Sequence, residues 1–169
     1  VSEGGRDYNS TWIPEVQLHE TYLPPFKAAI DAGSLSIMCA FNDINGVPAS
    51  GNKHLNVDIL RHEWQFDGLL VSDWGSIGNM VAHGISTDLC QTAAQSLDMQ
   101  SNAYLWYLDD LVAQGKVSEK QLDACVRNIL RMKFRLGLFD NPYCYIEDTP
   151  TYFAPEALAA AQRAAEESA

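Results

Sequence analysis

Two short apolar runs stand out in a chain whose other apolar residues mostly recur at helical spacing. The first run extends from Leu35 to Phe41 and the second from Leu69 to Ser72. Runs of this length between turn residues are typical of strands buried on both faces, as in parallel sheets covered by helices. We therefore predict two buried strands, with a third strand over Leu97 to Met99.

Helical spacing before the first run predicts a helix from Pro14 onward. Proline suits the first turn of a helix, and Thr11 is a candidate cap. Pro24 and Pro25 are expected to kink or interrupt this helix because proline lacks a backbone donor. Gly33 is expected to end it.

Three further helices are predicted after the first strand. They are expected over 56–64, over 105–112, and after the capping box Ser118-x-x-Gln121. The third of these has its apolar side on Leu122, Val126, Ile129 and Leu130. Gly137 is placed to end it.

Helices that alternate with buried strands predict an α/β fold with parallel crossovers. Two or three strands do not close a sheet, and a (β/α)8 barrel of the TIM type usually needs about 250 residues. We therefore expect a partial barrel. The polar, Gly-rich start and the C-terminal Ala/Glu helix without a stop signal suggest a piece of a longer protein.

Composition narrows the possible partners. Of 169 residues, 47% are apolar and 20% charged, which is globular composition, and the formal net charge is −11. An acidic chain without a basic stripe is a poor match for nucleic acid. No apolar run is long enough to predict a membrane span. The chain shows no signal segment, so its compartment stays open.

Neither cysteines nor histidines have the spacing of a metal site. The cysteines show no C-x-x-C pair and are expected to be buried thiols. The histidines show no H-E-x-x-H pattern, so no metal ligands are predicted. These residues are Cys39, Cys90, Cys125, Cys144, His19, His54, His62 and His83.

Asp73 is the first candidate for chemistry. It follows the second apolar run directly and precedes Trp74 and Gly75. Carboxylates are rare beside core strands, and barrel enzymes keep catalytic groups at the C-terminal ends of strands. The alternative is that Asp73 caps the next helix or turn.

Four longer segments follow one another along the chain. They are YLPPFKAAIDAG, SIMCAFNDINGVPAS, DILRHEWQFDGLLVSDWG and KVSEKQLDACVRNILRMKFRLGLFDNPY. Together and in this order they resemble glycoside hydrolase family 3, near its bacterial β-glucosidase members. The resemblance implies that residues 1–142 form the second half of a (β/α)8 barrel, and that 143–169 lead toward an α/β sandwich domain.

The resemblance also implies site residues. Asp73, in the S-D-W motif, takes the position of the catalytic nucleophile of a retaining glycosidase. Met38, Phe41 and Trp74 take positions that line the sugar subsite. Phe41 replaces the more usual Tyr and so lacks a hydroxyl near the nucleophile. Core packing is the alternative role for Met38.

The general acid is not expected within the chain. Most members of the family supply it as a Glu from the following sandwich domain. Asp67 and Asp88 lie near Asp73 in sequence but are expected to be solvated loop carboxylates. Because carboxylates and water do the chemistry, no cofactor is expected.

Two positions depart from the family pattern. Gln65 stands where the family has Gly in W-G-F, which suggests a local adjustment of the turn. The segment 93–102 looks several residues short, so the strand expected there is shortened.

The resemblance favours a β-glucosidase, with β-xylosidase as the alternative within the enzyme class. The N-acetylglucosaminidase branch is disfavoured because Ser72-Asp73-Trp74 replaces S-D-D and the first loop has no D-S-H. An inactive fragment or a carbohydrate-binding α/β piece is the alternative from another class. Members of the family are often periplasmic or secreted.

Overall fold

The chain folds into α-helices and short strands, so its fold class is α/β as predicted. The computed structural model describes residues 3–6, 8–102, 107–143 and 153–168. The chain divides into two compact units, Val1–Arg135 and Leu136–Ala169. The division into residues 1–142 and 143–169 stays a prediction.

The first unit holds the strands and most of the helices. Its strands are β1 (Ser10–Thr11), β2 (Ser36–Met38), β3 (Asp43–Ile44), β4 (Val47–Pro48), β5 (Leu69–Val71) and β6 (Ser101–Asn102). Its helices are α1 (Glu15–Gln17), π1 (Leu18–Tyr22), α2 (Leu23–Asp31), a 3-10 turn (Ala49–Gly51), π2 (His54–Glu63), α3 (Ser76–Ala82), α4 (Leu89–Asp98), α5 (Leu108–Ala113) and α6 (Glu119–Arg135). The second unit holds α7 (Pro155–Glu167).

A parallel sheet of order β2-β5-β6 positions the site. Met38 of β2 lies opposite Val71 of β5, which pairs on its other side with Asn102 of β6. Because all three strands run in the same direction, their C-terminal ends meet at one edge. Among the described residues, β2 and β6 each have a partner on one side only.

A second small sheet has the order β1-β3-β4. Asn45 and Gly46 join β3 to β4 with φ of 54° and 82°, the left-handed pair that a tight hairpin requires. Thr11 lies in β1 opposite Ile44. Its prediction as a helix cap was wrong, because the helix begins at Glu15 without a side-chain cap.

The proline pair widens the first helix without breaking it. Pro24 and Pro25 lie in the first turn of α2. The preceding turns are π-helical, and the amide of Leu23 donates to the carbonyl of Leu18, five residues back. Because proline has no amide to donate, the hydrogen-bond ladder is interrupted at these two positions while the helix itself continues. Gly33, with φ of 98°, ends the helix as predicted.

Two predictions about strands are corrected by the structure. Leu97 and Asp98 belong to α4, and the third strand comes later, at Ser101–Asn102. Leu97 lies one helical turn beyond Ala93, and both pack in a buried cluster with Leu111. This spacing places Leu97 on the buried face of a helix and not in a strand. The β2 strand is shorter than predicted and not buried on both faces, since Met38 is 56% exposed.

The capping box that was predicted before α6 is present. The amide of Ser118 donates to Oε1 of Gln121, and the amide of Gln121 donates to Oγ of Ser118. The apolar side was placed correctly only in part, because Leu122 and Ile129 are partly buried while Val126 and Leu130 are 44% and 40% exposed. The buried residues of α6 are Cys125 and Asn128.

Helix bounds differ from the prediction elsewhere by a few residues. The helix predicted over 56–64 spans His54–Glu63, and its last turn is wide, since the amide of Trp64 donates to the carbonyl of Ile59. The helix predicted over 105–112 is α5, Leu108–Ala113. Its predicted first residues, 105 and 106, lie outside the described residues.

The turn between π2 and β5 is held by a partly buried arginine. Nη1 of Arg61 donates to the carbonyls of Phe66 and Gly68, each at 2.8 Å. Burial lowers the pKa of this guanidinium. A Cβ atom on Gly68 would lie 2.4 Å from the carbonyl oxygen of Leu35, so only glycine fits there.

Buried thiols were predicted correctly for Cys39 and Cys125. Cys90 is only partly buried, and Cys144 lies outside the described residues. Burial raises the pKa of Cys39 to about 12. In the part of the chain that the structure describes, no helix has the length and apolar character to cross a membrane.

Candidate active site

A groove runs along the unpaired edge of β2 and reaches the C-terminal end of β5. It encloses about 420 Å³. Its lining combines aromatic and sulfur-containing side chains with polar groups, among them Met38, Phe41 and Asp73. Apolar platforms beside a few polar groups are typical of small-molecule sites.

Asp73 is held in the turn that leaves β5. It is partly buried, and its Oδ1 accepts the amide of Trp74 at 2.6 Å. The next helix, α3, has Gly75 at its N-cap with φ of 69° and no side-chain cap. The alternative that Asp73 caps the next helix is therefore wrong, whereas the bond to the amide of Trp74 makes it a cap of the turn.

Three of the four predicted site residues line the groove, namely Met38, Phe41 and Asp73. The core alternative for Met38 is excluded by its 56% exposure. Phe41 packs against Tyr8, with ring centroids 4.6 Å apart and an interplanar angle of 34°. Trp74 is 92% exposed and is not part of the lining.

Asp67 is occupied by an ion pair. Its two carboxylate oxygens accept from Nη1 and Nη2 of Arg135 at 3.0 and 2.6 Å. The hydrogen bond from Arg135 lowers the pKa of Asp67. This carboxylate ties the turn before β5 to the end of α6.

Asp88 is the N-cap of α4. Its Oδ1 accepts the amide of Gln91 at 2.8 Å, and this bond lowers the pKa of Asp88. Neither Asp67 nor Asp88 lines the groove. Among the described lining residues, Asp73 is the only carboxylate.

A buried carboxylate beside the groove was not predicted. Asp43 accepts Oγ–H of Ser10 at 2.6 Å and the amide of Gly46 at 3.2 Å. Nδ1 of His83 lies 3.7 Å from Oδ2 of Asp43, the oxygen that also accepts from Ser10. The sequence marked this segment only as turn chemistry. Its position just after the first apolar run is the only sequence signal that could have drawn attention to it.

Among the described residues, one group of possible metal ligands lies together, formed by Glu15, His19 and His54. None of the three lines the groove. Sequence spacing gave no sign of this group, because His54 is 39 residues from Glu15.

Comparisons with known proteins agree on one family. The model of the glycosyl hydrolase family 3 N-terminal domain matches residues 1–132. A periplasmic β-glucosidase of Salmonella typhimurium is 38% identical over 150 residues, which cover 85% of this chain and 20% of that protein. A putative β-xylosidase of Formosa agariphila is 37% identical over 86% of this chain and 20% of its own length.

Solved structures give the same result. The crystal structure of a β-glucosidase from Listeria innocua in complex with glucose superposes with a TM-score of 0.82 at 36% identity. The match covers 89% of this chain and 22% of that one. The chain thus spans about one fifth of the length of these relatives. With the family match over residues 1–132, these similarities show that the chain belongs to glycosyl hydrolase family 3.

Proposed function

We propose that this chain is the nucleophile-bearing part of a retaining β-glycosidase of the β-glucosidase type. The carboxylate of Asp73 attacks the anomeric carbon of a terminal β-glycosyl residue and displaces the aglycone. A covalent glycosyl-enzyme forms with inverted configuration. A second carboxyl group gives its proton to the departing aglycone oxygen and then takes one from water, which attacks the same carbon. The sugar leaves with its original configuration, and Asp73 is a free carboxylate again.

The observation that carries the proposal is the position of Asp73. It follows the C-terminal end of β5 and lines the groove together with Met38 and Phe41. Its side chain caps no helix, whereas Asp67 and Asp88 are occupied by a salt bridge and a helix cap. A partly buried carboxylate without such a role, beside apolar surface for a sugar ring, supports a catalytic assignment.

The second carboxylate comes from outside this chain. A retaining mechanism places the general acid about 5 Å from the nucleophile. Among the described groove residues no second carboxylate is present. We propose that a Glu from a following α/β sandwich domain of the longer protein supplies it, and that residues 143–169 lead to that domain.

We propose that the parallel sheet is one part of a barrel. The strand order β2-β5-β6 leaves both outer strands with one partner in the described part of the chain. Unpaired edges of a parallel sheet are normally covered by further strands. We propose that residues 1–142 supply the second half of a (β/α)8 barrel, and that an N-terminal half pairs with the free edge of β2.

Glucose is the favoured terminal sugar. The Listeria β-glucosidase, 36% identical to this chain, was solved with glucose, and a variant of it was solved with laminaribiose. Xylose is the second candidate, because a putative β-xylosidase is 37% identical. Trp74, exposed next to Asp73, is proposed to contact the substrate in the complete site.

A non-catalytic role for the isolated chain is the second candidate function. Since Asp73 is the only carboxylate among the described groove residues, the chain alone has one half of the catalytic pair. We propose that it binds sugar without turnover when it is separated from the rest of the protein.

Chemical rescue tests the proposal in the longer protein. Replacing Asp73→Gly removes the nucleophile, and turnover of an aryl β-glucoside should be lost. Added azide should then restore release of the aryl group and yield an α-glycosyl azide. The control is Asp88→Gly, the same substitution at another aspartate near Asp73 in sequence. Glycine is tolerated at an N-cap, so this variant should keep its turnover. Unchanged turnover in folded Asp73→Gly would contradict the proposal.

A further inference from the structure

A carboxylate and two imidazoles converge on the surface of the first unit. Oε1 of Glu15 lies 3.0 Å from Nε2 of His19 and 2.7 Å from Nε2 of His54. The three ligand atoms lie within 4.8 Å of one another. Glu15 and His19 are one turn apart along α1 and π1, whereas His54 is the first residue of π2.

We propose that Glu15, His19 and His54 form a Zn²⁺ site. Two neutral imidazole nitrogens and one carboxylate oxygen are a ligand set that zinc prefers. Ligand atoms of a tetrahedral zinc ion stand about 3.3 Å apart, given bonds of about 2.0–2.1 Å. The Glu15 spacings of 2.7 and 3.0 Å need only a small widening to admit the ion. The two imidazole nitrogens lie within 4.8 Å of each other, so side-chain rotation has to bring them to the tetrahedral spacing.

A fourth side chain, Asp58, faces the second ring nitrogen of His54. Nδ1 of His54 faces Oδ2 of Asp58 at 4.0 Å, while its Nε2 faces Glu15. Metal-binding histidines commonly donate their second ring N–H to a carboxylate, which fixes the tautomer and the orientation of the ring. The Asp58 carboxylate is close to this position, and a side-chain shift of about 1 Å would bring it within hydrogen-bond distance.

The site is reachable from solvent and leaves room for a water ligand. The side chains of Glu15, His19 and His54 are each between 42% and 55% exposed. The formal net charge of −11 favours capture of a cation. Three protein ligands leave the fourth position of a tetrahedral ion to water.

The bound ion would act as a clamp between two distant parts of the chain. Glu15 and His19 precede the parallel sheet, and His54 follows β4. An ion that binds only when these segments are together stabilises the folded state by mass action. The site adds a structural role that is separate from the glycosidase proposal, because none of its residues lines the groove.

Calorimetric titration with ZnCl₂ tests the proposal on the tag-free 169-residue chain after treatment with a chelator. We expect one Zn²⁺ per chain and a rise in the thermal unfolding temperature. His19→Gln and His54→Gln should abolish both. Asp58→Asn should weaken binding by about 10- to 100-fold, as for other outer carboxylates. His62→Gln, at an exposed histidine outside the cluster, is the matched control and should bind as the parent.

Circular dichroism first shows that each variant is folded, so that a loss of Zn²⁺ binding can be assigned to the lost ligand. Loss of binding in both cluster variants, with binding kept in His62→Gln, supports the site. Absence of Zn²⁺ binding by the parent chain overturns the proposal. Equal affinity in the parent, His19→Gln and His54→Gln also overturns it.

Discussion

The backbone amide of Cys39 donates to the carbonyl oxygen of Val71 at 2.9 Å. This bond carries the pairing of β2 and β5 one residue beyond Met38, so both strands end at the same edge of the sheet. Phe41 and Asp73 each come two residues after this pair. The register of β2 and β5 therefore brings Asp73, the candidate nucleophile, to the same edge of the sheet as Phe41.

A side chain at Gly68, in the turn before β5, should strongly destabilise the folded chain. In Gly68→Ala, the new Cβ would clash with the carbonyl of Leu35 and with the ring of Phe66, each 2.4 Å away. We expect the free energy of unfolding to fall by about 3 kcal/mol, as for other overpacked positions. Urea denaturation measures this value.

Gly84→Ala is the matched control for the steric argument. A Cβ at Gly84 meets nothing within 4 Å, but φ is 75°. The change should cost about 1 kcal/mol, which is the price of the left-handed conformation alone. Equal losses in the two variants would show that the close approach at Gly68 does not matter.

Gln65 should be replaceable by glycine with a gain in stability. Its φ is 53°, a conformation that is unfavourable for a residue with a Cβ. We expect Gln65→Gly to raise the free energy of unfolding by about 1 kcal/mol, although the bond to the carbonyl of His62 is lost. Gln114→Gly, where φ is −82°, should lower it. A loss of stability in Gln65→Gly would contradict this account.

The Asp67 ion pair should make stability depend on acid pH. Its hydrogen bond to Arg135 lowers the pKa of Asp67 in the folded chain, relative to an unfolded value of about 3.9. The stabilisation is therefore present above about pH 4 and is lost as the pH falls through the lower folded pKa. In urea denaturation, the free energy of unfolding of the parent should exceed that of Asp67→Asn at neutral pH. The two values should converge in acid.

Asp123→Asn gives the baseline for that comparison, because Asp123 is exposed on α6. The free energy of unfolding of Asp123→Asn should follow that of the parent chain across the same pH range. A difference between the parent and Asp67→Asn that persists unchanged to strongly acid pH would show that the ion pair is not the source.

Local sequence signals predicted the fold well where the decisive contacts are near in sequence. The capping box of Ser118 and Gln121 spans three residues, and the structure contains it. The same holds for the end of the first helix at Gly33. Leu97 shows the limit of a short apolar run, because three residues do not separate a strand from the last turn of an amphipathic helix.

Long-range contacts were beyond sequence reasoning. Whether Met38 is covered depends on which strands pair with β2, and nothing in its own segment reveals that. The meeting of Glu15 with His54 depends on how π2 packs after 39 intervening residues. The position of Asp73 was predictable because a strand and its C-terminal residue are adjacent in sequence. Its role is a proposal that needs chemistry to test it.

Cys39 should resist alkylation in the folded chain. Its thiol is buried with a pKa of about 12, so only about one molecule in 10⁴ carries the thiolate at pH 8. Cys90 is partly exposed and should react with iodoacetamide much sooner. Peptide mass spectrometry after timed labelling gives both rates. In urea the two cysteines should react alike, and equally fast reaction without urea would contradict the burial of Cys39.

The central claim is that Asp73 forms the covalent glycosyl-enzyme. The most direct measurement is to incubate the longer protein with an activated 2-deoxy-2-fluoro-β-glucoside, and in parallel with its xylosyl counterpart, and then to locate the adduct by peptide mass spectrometry. We predict one adduct on Asp73, absent in Asp73→Asn, whose turnover should fall by on the order of 10⁴-fold or more. An adduct on another carboxylate, or none with either sugar in a folded and active protein, would contradict the assignment.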